Sequence, residues 1–345
     1  MAYTTINKGT DHFNTKLYTG TSGTINITGL DFQPDWTWIY NRAGTYASPM
    51  FDVVRGVTKI IESTGNGAEN TVANTLTSFN SDGFTVGADG NSYVNRSSSP
   101  NSYVAWNWKA GNSAGATNND GSVASTVSAN TTSGFSIVKY TNPSSGSPFT
   151  VGHGLGSPPK MIMVKNITGS AQNWGVWHHS IGFGKYLKLN TTDVEASANL
   201  VTATSNTTFS TYYDHHVSGV NLIAYCFAEK KGFSKFGLYD GNGNTDGAFV
   251  YTGFKPAFIM LKGKGNTSNW GVHDAVRDVD NVISKGVTAN TSAAEDTHDF
   301  MDFLSNGFKL RSSSSNRNGS GQGYIYMAFA ESPLVASNNI PVTAR

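Results

Sequence analysis

Three stretches of the chain alternate a large apolar residue with a smaller or more polar one: Tyr103-Val104-Ala105-Trp106-Asn107-Trp108, Leu222-Ile223-Ala224-Tyr225-Cys226-Phe227 and Tyr324-Ile325-Tyr326-Met327-Ala328-Phe329. A period of two is that of a strand. It places Val104, Trp106 and Trp108 on one face, matched by Ile223, Tyr225 and Phe227 and by Ile325, Met327 and Phe329. Shorter alternating stretches, Tyr186 to Leu189, Gly83 to Val86 and Gly307 to Leu310, lie between Gly/Asn/Ser clusters, as strands lie between turns. Helical periodicity is nearly absent. Its best candidate, Asp274 to Asp280, is short enough to be a single turn after a strand.

Two further signals precede each closing stretch in the same order. One is a turn with a proline before an apolar strand: Gly29 to Ile39 around Pro34, Gly154 to Val164 around Pro158-Pro159, and Gly253 to Leu261 around Pro256. Proline at the first residue of a strand leaves the ladder intact and fixes how the chain enters it. The other is an aromatic phrase, Asn173-Trp174-Gly175-Val176-Trp177-His178 and Asn269-Trp270-Gly271-Val272-His273-Asp274, with Met50-Phe51-Asp52-Val53 a looser counterpart. Self-similarity of this kind predicts an all-β chain of three tandem β-sandwich or jelly-roll-like repeats of antiparallel strands, at residues 12–111, 133–231 and 232–332. Residues 112–132, nearly all Gly, Ala, Ser, Thr, Asn and Asp, read as a linker with an edge strand around Ser122 to Val127. Lys230-Lys231-Gly232 joins the second and third units directly, which predicts an interface there and a first unit held more loosely. Residues 333–345 read as an extended tail, either disordered or laid on a neighbouring subunit.

Charge removes several partners. Lys and Arg number 24 against 23 Asp and Glu, so no net field draws the chain to nucleic acid or an anionic membrane. Only 14% of residues are charged, against roughly 25% in an average domain, and Asn, Ser, Thr and Gly take their place. No apolar run approaches the roughly 18 residues of a membrane span, and Met1 to Thr10 lacks the blocks of a signal peptide. The single cysteine, Cys226, sits in an apolar run and reads as a small buried hydrophobe.

Patterns that could carry chemistry are sparse. Gly111-Asn112-Ser113-Ala114-Gly115 matches a nucleophile elbow but lacks the strand–turn–helix context that motif needs. Glu229 and Glu331 hold equivalent ends of closing strands, a structural position. Asp52 with Arg55 and Asp274 with Arg277 share one spacing and read as a repeated surface ion pair. Asp240-Gly241-Asn242-Gly243-Asn244-Thr245-Asp246 opens like a calcium loop, yet has Thr245 where glycine belongs and no closing glutamate, so a polar hairpin turn is the simpler reading. His178-His179 and His215-His216 could offer one metal ligand per pair, short of the three or four that zinc wants. Trp174 and Trp270, with Asn173 and Asn269, are the glycan-contact candidates, because an exposed ring beside amides suits a sugar face; a core aromatic is the alternative. No cofactor is indicated.

Several longer phrases carry a resemblance: Met1-Ala2-Tyr3-Thr4-Thr5-Ile6-Asn7-Lys8, Phe32-Gln33-Pro34-Asp35-Trp36-Thr37-Trp38-Ile39, Ser125 to Thr132 leading into Gly134-Phe135-Ser136-Ile137-Val138, and Tyr225-Cys226-Phe227-Ala228-Glu229 followed by Gly232 to Gly237. Together they resemble, over nearly the whole chain, a β-repeat family of virion structural proteins from marine tailed bacteriophages. The resemblance implies a non-enzymatic virion component made in the host cytoplasm, a tail-fibre or host-attachment protein, and no specific catalytic or binding residue. Other virion proteins, a host surface glycan or receptor, and further copies in a homotrimer are the partners it implies. Nucleic acid and membrane insertion are not among them. Alternatives are a capsid decoration or head-fibre protein, a lectin-like glycan-binding module and, last, a capsular depolymerase. The first unit departs from the others in lacking the Asn-Trp-Gly phrase, which would suit an anchoring role.

Overall fold

The computed structural model describes residues 4–89, 93–98, 101–143, 147–212, 218–336 and 338. The regular structure is antiparallel strand, apart from the one-turn 3-10 segments Gly9–Asp11 and His179–Ile181. Three large sheets dominate. The first runs, in spatial order, Phe13–Thr19, Ser102–Trp108, Trp36–Asn41, Pro49–Asp52, Lys59–Glu62, Asn70–Thr71. The second runs Ala116–Asn118, Ser125–Asn130, Phe135–Thr141, Asn221–Phe227, Met161–Asn166, Gly175–His178. The third has eight strands and is nearly closed: Ser234–Asp240, Gly323–Pro333, Phe254–Gly263, Gly271–Asp274, Ile283–Thr288, Asp296–Leu304, Gly307–Leu310, Phe249–Tyr251.

One four-strand order occurs in all three sheets. The closing strand lies between an early strand and the proline-led strand, and the aromatic phrase pairs on the latter's far side. The registers correspond too, with Trp36 opposite Trp108, Met161 opposite Phe227 and Phe258 opposite Phe329. Tyr40, Lys165 and Lys262 therefore hold matching places, opposite Val104, Ile223 and Ile325. Pro34 and Pro159 precede their strands as predicted, whereas Pro256 lies inside Phe254–Gly263, where the pairing register shifts on either side of it. A bulge is one of the few places where a strand tolerates the missing N–H.

The alternation of the closing strands divides the core. Val104, Trp106 and Trp108, Ile223, Tyr225 and Phe227, and Ile325, Met327 and Phe329 all enter one cluster that draws on all three sheets. Its centre is aromatic: Trp36 stacks on Tyr225 at 4.5 Å and lies tilted against Trp108 at 4.3 Å, and Phe329 lies 5.7 Å from Trp108 and 6.1 Å from Phe227. Opposite faces of the first two sheets pack on smaller second layers. Tyr103 and Ala105 meet Ile27, Phe84 and Val86 of the sheet Ile25–Thr28, Gly83–Val86, Leu76–Asn80. Leu222, Ala224 and Cys226 meet Val151 and Phe209 of the sheet Phe149–Gly152, Thr208–Thr211, Ala203–Thr204. Cys226 is free and buried, as its context predicts. Glycine is required where two strands begin tight against their own sheet neighbours: a Cβ on Gly83 or Gly307 would collide with the carbonyl oxygen of Ile27 or Val250 on the paired strand.

Other expectations need correction. Residues 112–132, read as a linker, supply two strands; Ser125–Asn130 pairs along its whole length with Phe135–Thr141, and Ala116–Asn118 pairs outside it. Their Thr, Val and Ser content fills an edge ladder without the apolar density by which strands are recognised. The first sheet is not loosely attached, because its Trp36, Trp106 and Trp108 are built into the shared core. The stretch after Asp240 is no hairpin: Ser234–Asp240 and Phe249–Tyr251 lie at opposite ends of the eight-stranded order, so it is a crossing connection. Of the predicted tail, Pro333 closes a strand, and residues 337 and 339–345 lie outside the described residues.

Candidate functional site

The side chains that sequence singles out for chemistry converge on the seams between the three sheets. Asp52 and Arg55, predicted as a surface pair, are fully buried, as are Asp274 and Arg277. The spacing of three puts each arginine in the turn after a strand, where Asp Oδ1 accepts from the arginine's own N–H and Oδ2 from its Nε. Each node is completed across a seam. The Tyr225 hydroxyl donates to Asp52 at 2.7 Å, and the Trp106 indole donates to Asp274 at 3.0 Å. Glu69 and Glu295 add a second carboxylate to Arg55 and Arg277, and Arg42 reaches Glu295 from the first sheet. Burial works against the charge on both buried arginines, yet these neighbouring acids hold their pKa values above the usual range.

The second sheet carries His178 where the others have the aspartate. Its Nε2 lies 3.2 Å from the carbonyl of Tyr326 in the third sheet, and its Nδ1 accepts from Ser180 N–H. Both bonds require the neutral Nε2–H tautomer. Burial, with His179 adding to it, lowers its pKa to about 3.

A second set of bonds runs between sheets from the matching positions Tyr40, Lys165 and Lys262. Tyr40 donates to the carbonyls of Thr291 and Ala293, Lys165 to Asn66 and Gln172, and Lys262 to Thr192 and Ser268. The first sheet thereby reaches the third, the second the first, and the third the second. Burial lowers Lys165 to about 7 and Lys262 to about 8, while the oxygens around each Nζ favour the ammonium. Sequence reasoning passed over these residues; the signal was a lone lysine at the same place in Met161-Ile162-Met163-Val164-Lys165 and Phe258-Ile259-Met260-Leu261-Lys262.

The glycan-contact candidates are not a sugar platform. All seven tryptophans are at most 1% exposed, so neither Trp174 nor Trp270 offers a ring face to solvent. Their indole N–H groups donate across seams instead, to the carbonyls of Glu62 and Lys188. Asn173 and Asn269 belong to matched clasps: Asn190 and Asn290 each accept from the tryptophan's backbone N–H and donate to the preceding asparagine's Oδ1 at 2.8 Å. Replacing Asn290 with alanine should leave the buried Trp270 N–H unpaired and lower stability by about 1–3 kcal/mol. A urea titration reads this as a lower midpoint with an unchanged slope.

The metal candidates are engaged otherwise. His179 bonds the Phe236 carbonyl at 3.0 Å, and His215 and His216 lie outside the described residues. Asn242, Asn244 and Asp246 bond one another through side chain and backbone, while the buried Asn318 donates to Asn242 Oδ1 and Asn244 O. Asp246 pairs with Lys309 at 2.8 Å, and that bond lowers its pKa. Asp240 sits at the exposed end of its strand. Among the described residues, no group of three His, Cys, Asp or Glu could hold a metal ion, and no helix is long and apolar enough to cross a membrane. A cleft of about 630 Å³ separates Phe13–Thr19 from the turn after Asp274, floored by Ile283 and Phe303 and rimmed by the Lys255–Glu331 pair.

The molecule is thus an all-β protein of antiparallel sheets whose polar side chains link one sheet to the next. By sequence the chain belongs to the family described as Domain of unknown function (DUF7483), which it matches over residues 8–333. Comparison with curated proteins and with solved structures finds no match.

Proposed function

We propose that this protein is a non-enzymatic structural component of a bacteriophage particle, exposed as part of a tail fibre or host-attachment apparatus. The observation that carries the reading is the cyclic interlock. Matching positions in three sheets each reach a neighbouring sheet, so the aromatic, histidine and ion-pair residues serve rigidity. The resemblance to phage virion proteins and the largely neutral polar composition support the same reading. A homotrimer belongs to the proposal, and light scattering that returns a stable monomer at high concentration would remove it. A capsid decoration or head-fibre role is the second reading, since a rigid body would serve adhesion to a shell equally well. Immunogold electron microscopy on gradient-purified particles tests the whole. Label on the tail is the expected result, label on the head gives the second reading, and absence of the chain from the particle overturns both.

A further inference from the structure

Phe149–Gly152 and Phe249–Tyr251 hold matching places, each the last strand of its order and bonded on one side only, to Thr208–Thr211 or to Gly307–Leu310. In the second unit the other side is covered. The bond from His153 N–H to the Thr207 carbonyl fixes which groups face that ladder, and leaves Thr150 and Gly152 facing out. There the Thr150 carbonyl accepts from Val123 N–H at 3.1 Å, Thr150 N–H donates to Ser122 Oγ at 3.0 Å, and the Gly152 carbonyl accepts from Ser125 Oγ at 3.0 Å. In the third unit, the bonds from Leu310 N–H to Ala248 and from Thr252 N–H to Asn306 turn Phe249 and Tyr251 outward in the same way. Among the described residues, nothing bonds their N–H or C=O groups. Their rings are bare as well, 47% and 55% exposed. The covering stretch of the second unit lies between it and the first, whereas Lys230-Lys231-Gly232 joins the third unit with no such stretch. An unpaired edge of this kind is a template for another strand.

We propose that this edge is the seat of the chain's own residues 339–345, Asn339-Ile340-Pro341-Val342-Thr343-Ala344-Arg345, laid antiparallel to Phe249–Tyr251. The last strand closes with Pro333 opposite Phe254, just past Tyr251 in the chain. The polypeptide therefore leaves at the Tyr251 end, and a segment running back towards Phe249 is antiparallel to it. Residues 334–338 can reach roughly 17 Å, against roughly 10 Å between packed layers. Alternation sets the register. With Ile340 opposite Tyr251 and Val342 opposite Phe249, both exchange bonds with the outward groups and share the face of the two rings, a pairing of aromatic with β-branched side chains that sheets favour. Pro341 then turns its missing N–H away from the edge and ends the sheet there. The inference concerns how the fold is closed and stands apart from the attachment reading.

Amide hydrogen exchange of the full chain, read by nuclear magnetic resonance, tests it. The Phe249 and Tyr251 amides should exchange roughly tenfold or more slowly in the native chain than in Ile340→Pro, which removes the N–H that faces Tyr251. Pro341→Ala should leave that protection unchanged, and equal exchange in the native and Ile340→Pro chains would overturn the proposal. Cross-linking probes the same seat independently. Tyr251→Cys combined with Ile340→Cys should form a disulfide within single chains, because bonded strand partners about 5.5 Å apart lie in bridging range and Cys226 is buried. Leu238→Cys, 41% exposed on the strand at the far end of the same order, should link to Ile340→Cys at roughly a tenth of that rate or less. Equal rates for the two pairs, or links formed only between chains, would remove the seat from this chain's own tail. Neither readout involves a particle, so a failure here leaves the virion reading standing.

Discussion

Replacing Asp274 with alanine should destabilise the protein by about 3–5 kcal/mol, the usual cost of removing one partner of a buried ion pair. The substitution leaves the Arg277 guanidinium, whose side chain is wholly inaccessible, with Glu295 as its one neighbouring carboxylate and the Val272 carbonyl as a further acceptor, and it strips the acceptor from the Trp106 indole across the seam. Arg277 also lies over the Trp106 ring, 5.6 Å from its centroid, so the loss couples two sheets. Lys8 with Asp11 and Asp31 provides the contrast. Those side chains are more than half exposed, and Lys8→Ala should change stability by about 1 kcal/mol or less. Paired urea titrations of the two variants decide the matter, and equal midpoints would refute the structural role given to the node. Replacing Asp274 and Arg277 together with apolar residues of similar volume should cost less than Asp274→Ala, because no orphaned charge remains.

Acid should begin to destabilise this protein from near pH 6 downward, well above the range in which carboxylates usually protonate. Burial is the first cause of a lowered pKa at His12, His153, His178, His179 and His273. A histidine kept neutral in the native state stabilises fully above its unfolded pKa of roughly 6.5, and that stability is lost as the pH falls towards its folded value. For His178, which drops to about 3, the loss across this window is on the order of 5 kcal/mol. Thermal melts between pH 7 and pH 4, in units where roughly 1.4 kcal/mol corresponds to one pKa step, should fall steeply in the native protein. His178→Gln keeps a donor for the Tyr326 carbonyl without a titratable ring, and its melting temperature should vary less over that interval. A curve parallel to the native one would show that His178 does not carry the effect.

The all-β class and the closing strands were legible because alternation survives in any sheet with two distinct faces. Val104, Trp106 and Trp108 sort from Tyr103 and Ala105 by period alone, and the structure sends the two sets to different clusters. What period does not tell is the partner of a buried face. Trp174 and Trp270 read more readily as core than as exposed platforms, but what they pack and bond against is told only by their bonds to Glu62 and Lys188. The pairs at Asp52 and Asp274 were misread for a related reason. Charge in a turn is ordinarily solvated, and nothing local announces that Tyr225 or Trp106, over a hundred positions away, will cover it. Ser125–Asn130 was half visible, as a strand without the apolar content that marks one.

Because the aromatic cluster takes side chains from every large sheet, none of the thirds is self-sufficient. A fragment ending between them would carry Trp36, Phe227 or Phe329 into water and aggregate, and a nick there should be tolerated only while the pieces stay together. The same geometry limits how such a body could be extended. A fourth large sheet would have to find room at a core already filled by side chains of the other three, so added strands would more readily fasten along strand edges, as Ala116–Asn118 already does beside Ser125–Asn130.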